Sequence, residues 1–242
     1  MTRTPIDDAI DYIAQLDPPF SSGIFPASGH EIAELEAVAG AGKPLPAAYR
    51  CFLERMGHGL DMPRLPAANY DIQAVIARYR FGYAPPPGFW MIGRAKDDPY
   101  YDVYLFAPTG AESRIMSFPP PPVKGFSEFA RKNVAIQAGN LPQWLACAAF
   151  EAFRYPRFAK FWVKSSRATG AHQLAACDAA IKGCGLAPLW FSDDWKRVYE
   201  SPSGVAVATE YPGDHTSVLL RARDDETLKR WAAAVEAVLL GS

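Results

Sequence analysis

Three aspartates, Asp97, Asp98 and Asp102, bracket the run Pro99-Tyr100-Tyr101. Carboxylates gathered this closely can hold a cation or share a proton in acid–base chemistry. The same residues also spell a hairpin turn, because aspartate and proline favour tight reversals, and the turn is the preferred reading. The second functional reading is a protein-binding patch of Asp97, Asp98, Tyr100, Tyr101 and Asp102, since tyrosine buries area while still hydrogen-bonding. His58 lies between Gly57 and Gly59, where a backbone can be approached closely. It joins the partner-binding set, although a turn histidine facing solvent is the plainer reading.

Other chemistry finds little purchase. His30, His172 and His215 are scattered, and no two histidines have metal-ligand spacing. No Gly-x-Ser-x-Gly, P-loop or dinucleotide fingerprint occurs. Ser21-Ser22-Gly23 and Ser165-Ser166 have no adjacent base and read as loop residues. No catalytic residue, metal ligand or cofactor is assigned. Cys51 and Cys147 lie in apolar or Ala-rich helical stretches, and Cys177 and Cys184 are two helical turns apart, a poor disulfide geometry. Reduced, buried thiols are expected.

Composition sets the outer limits. The 242 residues are 49% hydrophobic and 21% charged, an ordinary globular balance, with a net charge of −1 that gives no bias toward nucleic acid or membrane. The start carries no signal peptide, and no stretch approaches the ~20 apolar residues of a membrane span. A cytoplasmic location without membrane association is expected. Charge is unevenly spread. Residues 1–42 hold one basic residue and seven acidic ones, whereas residues 124–167 hold eight basic and two acidic. The basic run interleaves with Tyr155, Phe158, Phe161 and Trp162, a pattern open to nucleic-acid contact. The alternative, an amphipathic helix with Phe158, Phe161 and Trp162 on its buried side, fits the spacing better, so no nucleic acid is expected.

The elements that must position these residues begin with a helix capped by Thr4, with Pro5 in its first turn and Asp7 and Asp8 at its positive end. Ser28 and Glu31 form a capping box for a second helix carrying Ile32, Leu35 and Val38. Gly40 and Gly42 end it. Pro46 suits the first turn of a third, whose stripe is Tyr49, Phe52, Leu53 and Met56, stopped by Gly57-His58-Gly59 with a glycine at positive φ. Asn69 caps a helix bearing Ile72, Val75, Ile76 and Tyr79. Period-2 strands follow at Phe89–Ala95, Tyr100–Ala107 and Arg114–Phe118, joined as an antiparallel meander. A helix is expected over Phe126–Ala138, another over Asn140–Phe153, and a restart over Tyr155–Arg167. From His172 the pattern reads helix, strands at Pro188–Phe191, Arg197–Glu200, Val205–Tyr211 and Ser217–Ala222, then a final helix capped by Asp224 or Asp225.

The pattern Ile32-x-x-Leu35-Glu36, then Leu45-Pro46-x-x-Tyr49-x-x-Phe52-Leu53, then Gly57 and Gly59, resembles the N-terminal signature of the SUKH superfamily. That group includes bacterial immunity proteins of polymorphic toxin systems and a yeast regulator of cell-wall synthesis. Members often have Asn-Gly-Gly where this chain has Gly57-His58-Gly59. The resemblance implies helices packed on an antiparallel sheet, a Phe-rich helix after the sheet, and a protein partner, a toxin domain, bound without catalysis. The expected fold is therefore α+β, with a SUKH-like domain over 1–140, a helical connector over 141–170 and a small C-terminal α+β unit over 171–242. A regulatory interaction scaffold is the alternative function, and nucleic-acid binding through residues 154–167 a lesser one. The oligomeric state stays open.

Overall fold

The computed structural model describes residues 3–40, 44–95, 102–107, 114–118, 134–167, 171–211 and 215–240. The fold is α+β, with helices and two antiparallel five-stranded sheets. The chain divides into two compact units, Met1–Ala149 and Phe150–Ser242. Among the described residues no helix is long and apolar enough to cross a membrane.

In the first unit, α1 (Pro5–Leu16) starts on a capping box in which Thr4 and Asp7 satisfy each other's backbone N–H groups. It buries Ile6, Ala9 and Ile13. After the single turn α2 (Phe20–Gly23), α3 (Gly29–Gly40) opens on the Ser28–Glu31 box, with Ser28 N–H donating to Glu31 at 2.8 Å and Glu31 N–H to Ser28 at 3.2 Å. Next, α4 (Ala47–Met56) buries Tyr49, Phe52, Leu53 and Met56; Pro46 stands at its N-cap, one position before the expected first turn. Glu36 joins the two helices by accepting from the Leu45 N–H at 3.0 Å and pairing with Arg50.

Asp71, not Asn69, caps α5 (Ile72–Arg80), accepting from Gln73 N–H at 2.8 Å. Asn69 instead accepts from Asp71 N–H and belongs to the two-residue strand β1 (Ala68–Asn69). The sheet runs in sequence order from β1 through β2 (Phe89–Ala95), β3 (Asp102–Phe106) and β4 (Arg114–Phe118) to β5 (Ala135–Ala138), the expected meander with one strand more at each side. Two tyrosines stitch the helices to it. The Tyr49 hydroxyl donates to Met91 carbonyl at 3.1 Å, and Met91 N–H donates to the Tyr79 hydroxyl at 2.9 Å. α6 (Leu141–Ala149), buried throughout, closes the unit.

The helix expected over Phe126–Ala138 is replaced at its described end by strand β5. Ala135 and Gln137 favour helix, but pairing with β4 overrides that local preference. The expected helical connector over 141–170 is likewise divided. α6 ends at Ala149, a π-helical turn spans Phe150–Arg154, a 3₁₀ turn spans Tyr155–Arg157, and β6 (Lys160–Ser166) is a strand.

In the second unit the sheet order is β6-β10-β9-β8-β7, all antiparallel, built with β7 (Ala187–Pro188), β8 (Lys196–Ser201), β9 (Gly204–Tyr211) and β10 (His215–Ala222). Of the strand expected over Pro188–Phe191 only Pro188 belongs to β7, because a proline cannot sustain a ladder. α7 (Ala171–Gly183) and α8 (Asp225–Leu240) cover one face. Leu174, Cys177 and Ile181 meet Trp231, Val235 and Leu239 over Tyr199, Ala206, Val218 and Leu220. Asp224 caps α8 by accepting from Thr227 N–H at 2.7 Å.

Candidate functional site

His58 does not face solvent as a turn residue. Its ring is wedged between two carboxylates, with Nδ1 2.9 Å from Asp71 Oδ2 and Nε2 3.3 Å from Glu31. The glycines on either side explain its place. A Cβ on Gly57 would lie 2.5 Å from the Ala27 side chain; Gly59 has φ +78° and lies against the Gly23 carbonyl. Only glycine fits such contacts. The His58 backbone exchanges two hydrogen bonds with Phe25, at 3.0 and 3.1 Å, and the Gly57 carbonyl accepts from Ile72 N–H at 3.0 Å. The Gly-His-Gly stop thus fastens the α2–α3 loop, α4 and α5 together.

The electrostatics follow. Partial burial opposes a charged ring at His58, but hydrogen bonds and attraction from Asp71 and Glu31 outweigh it and raise its pKa above the ordinary histidine range. A doubly protonated ring can donate to both carboxylates; a neutral one would turn a lone pair on one of them. Glu31 is held down to about 2 by the Gln73 amide at 2.8 Å, then by the Ser28 N–H and hydroxyl, with His58 adding less.

Asp102 forms a second cluster. It is 2% exposed, so it faces the interior and does not belong to a surface patch. The Ala95 N–H donates to Oδ1 at 2.9 Å, the Tyr104 hydroxyl reaches Oδ2 at 3.3 Å, and the Arg78 guanidinium stands 3.7 Å away. Tyr104 also hydrogen-bonds the Tyr83 hydroxyl, and Arg78 lies 4.7 Å from the centre of the Tyr83 ring. Burial pushes the Tyr83 phenol up to about 12 and Tyr104 higher still. Both phenols therefore act as hydrogen-bond donors and not as nucleophiles at neutral pH.

Asp97, Asp98, Tyr100 and Tyr101 lie outside the described residues. The structure does not bring His58 and Asp102 together. Their partners Asp71 and Arg78 lie at opposite ends of α5, about 10 Å apart at the helical rise. Glu31, Asp71, Arg78, Tyr83 and Tyr104, which complete the two clusters, were not among the expected site residues. The i, i+2 spacing of Asp102 and Tyr104 on a strand was the one local signal that they share a face.

Charge elsewhere is largely spent within the fold. Of the seven acids in residues 1–42, Asp7 pairs with Arg55, Asp8 and Asp11 with Arg3, Glu34 with Arg80, Glu36 with Arg50 and Glu31 with His58. In the basic run, Arg154 pairs with Glu200, Lys160 with Asp225 and Lys164 with Glu236. Phe158, Phe161 and Trp162 do not share a buried helix face: Phe158 is buried ahead of β6, while Phe161 and Trp162 alternate to opposite faces of the strand. No group of three or more potential metal ligands occurs among the described residues.

No family model matches the chain, and neither a curated protein nor a solved structure matches it.

Proposed function

We propose that this chain is a non-enzymatic protein-binding protein of the SUKH type, an immunity protein that neutralises a cognate toxin domain by binding it directly. The observation that carries the reading is how the signature residues interlock. Ile32, Leu35, Leu45, Tyr49, Phe52 and Leu53 are all buried, and Glu36 of the first signature helix holds the Leu45 N–H ahead of the second. The body of the meander, β2 to β5, follows after α5, in the helices-then-sheet order that the resemblance implies. The two ionisable clusters also support a scaffold. Both ring nitrogens of His58 and both oxygens of Asp102 are engaged by neighbours within the fold, which leaves them positioned to hold structure.

The acidic character of the N-terminal helices does not enter the argument, because six of the seven carboxylates in residues 1–42 already face a basic side chain of the same unit. The test is co-expression with the toxin-like product encoded beside this gene. Rescue of growth together with a co-purified complex is expected. Failure of both overturns the reading.

A further inference from the structure

Strand edges decide where one chain can add to another, and the second sheet treats its two edges differently. One edge is β7, two residues long and ending in a proline, a blunted edge. The other is β6, seven residues long and without proline, which among the described strands pairs only with β10. Every second residue of such a strand turns its N–H and C=O outward.

Lysines commonly guard an edge of this kind. Here Lys160 and Lys164 lie on the helix-covered side and are held there by Asp225 at 2.8 Å and Glu236 at 2.6 Å, both on α8. The opposite side presents Phe161, 63% exposed, and Val163, 53% exposed. Arg221, paired with Phe161 in the ladder, lies 5.7 Å from its ring and ties down the approach to β6 by donating to the Phe158 carbonyl at 3.2 Å. The edge is therefore firmly set, apolar on one side, and flanked by exposed Arg157 and Arg167, which have no ion pair among the described residues.

From this we infer that β6 is a docking edge for an extended segment of a protein partner, one with apolar side chains at alternate positions and carboxylates at both ends. Main-chain hydrogen bonds would supply affinity, the Phe161–Val163 face would select the apolar pair, and Arg157 and Arg167 would select the acids. A second copy of this chain is the poorer occupant. Two-fold pairing about Val163 would place Arg157 of one copy within two positions of Arg167 of the other, with no acid between. Nucleic acid is disfavoured because three of the five described cations of the run, Arg154, Lys160 and Lys164, are already paired. The inference rests on the protein-binding reading and names the kind of segment that is bound.

The probe is a fluorescein-labelled peptide, Asp-Asp-Thr-Val-Thr-Val-Thr-Val-Asp-Asp, compared by anisotropy with a twin carrying lysine for each aspartate. The full chain is expected to bind the acidic peptide at least about tenfold more tightly. The double variant Arg157→Glu/Arg167→Glu is expected to reverse that order, a change that unfolding cannot imitate. Phe161→Ser/Val163→Ser, at exposed positions, is expected to weaken both peptides about tenfold or more without moving the thermal midpoint by more than a few degrees. Equal binding of the two peptides, or binding of neither, overturns the inference. So does tighter binding of oligothymidylate, or a dimer in sedimentation that Phe161→Ser dissolves. A toxin that co-purifies while neither peptide binds removes this edge and leaves the immunity reading standing. Peptide preference without toxin neutralisation does the reverse.

Discussion

Asp71 serves two elements with one carboxylate: Oδ1 caps α5 by accepting from Gln73 N–H at 2.8 Å, and Oδ2 lies 2.9 Å from His58 Nδ1. Removing the imidazole breaks the clamp without breaking the cap. His58→Gln is expected to cost about 1–3 kcal/mol in denaturant unfolding, the range for losing a hydrogen bond to a charged group and leaving its partner short. Asp71→Ala loses both roles and should cost more. Equal costs for the two would mean that the cap adds nothing beyond the clamp.

The same clamp sets a pH dependence. The folded pKa of His58 is raised above its ordinary 6.5, so its contribution is full below that value and lost as pH rises through the folded pKa. Glu31 is depressed from 4.5 to about 2, so its contribution is present above 4.5 and lost as pH falls toward 2. The stability difference between the parent chain and His58→Gln should therefore narrow as pH is raised beyond 6.5. Unfolding curves across that interval give the answer, and a difference that widens would contradict the assignment.

Two glycines separate conformational strain from steric conflict. Gly59 and Gly82 have nearly the same φ, +78° and +80°, but a Cβ at Gly59 would lie 2.0 Å from the Gly23 carbonyl oxygen, whereas at Gly82 it meets nothing within 4 Å. Gly82→Ala should cost about 1–2 kcal/mol for the left-handed backbone alone. Gly59→Ala should cost well beyond that, because main chain must move. Thermal midpoints of the two variants check the order.

Asp102 is buried with three donors directed at it. Asp102→Ala is expected to destabilise by about 3 kcal/mol, since it leaves the partly buried Arg78 and the Ala95 N–H without their carboxylate. Tyr104→Phe should cost about 1 kcal/mol. Additive costs in the double variant would show that the Tyr104–Asp102 hydrogen bond contributes nothing.

Cys177 is fully buried and its thiol is pushed up to about 11 by burial. Thiol labelling at pH 8 should reach it only through unfolding, at a rate that follows denaturant, while Cys51, partly exposed, reacts in the folded chain.

Local signals carried much of the fold. The Thr4 and Ser28 boxes, the apolar stripe of α4 and the Arg114–Phe118 strand were legible because each is decided by neighbours within a few residues. β6 was not legible. Phe158, Phe161 and Trp162 satisfy helical spacing, and only β10, more than fifty residues later, draws Phe161 and Trp162 into a strand. The His58 clamp was hidden for the same reason, since its carboxylates lie 13 and 27 residues away, and Glu31 was already accounted for in a capping box. Asp102 was misplaced on the surface because it was grouped with Asp97, Asp98, Tyr100 and Tyr101 as one patch, whereas its side chain and that of Tyr104 point into the unit.

The Glu31 carboxylate has a further consequence. It closes the Ser28 box, receives the Gln73 amide from the first turn of α5 and faces His58, so the beginnings of two helices share one anion. Neither helix can fray from its N-terminus alone. Amide hydrogens in the first turns of α3 and α5 would then exchange with solvent at a common rate, as a single opening unit, and a substitution confined to one would speed the other.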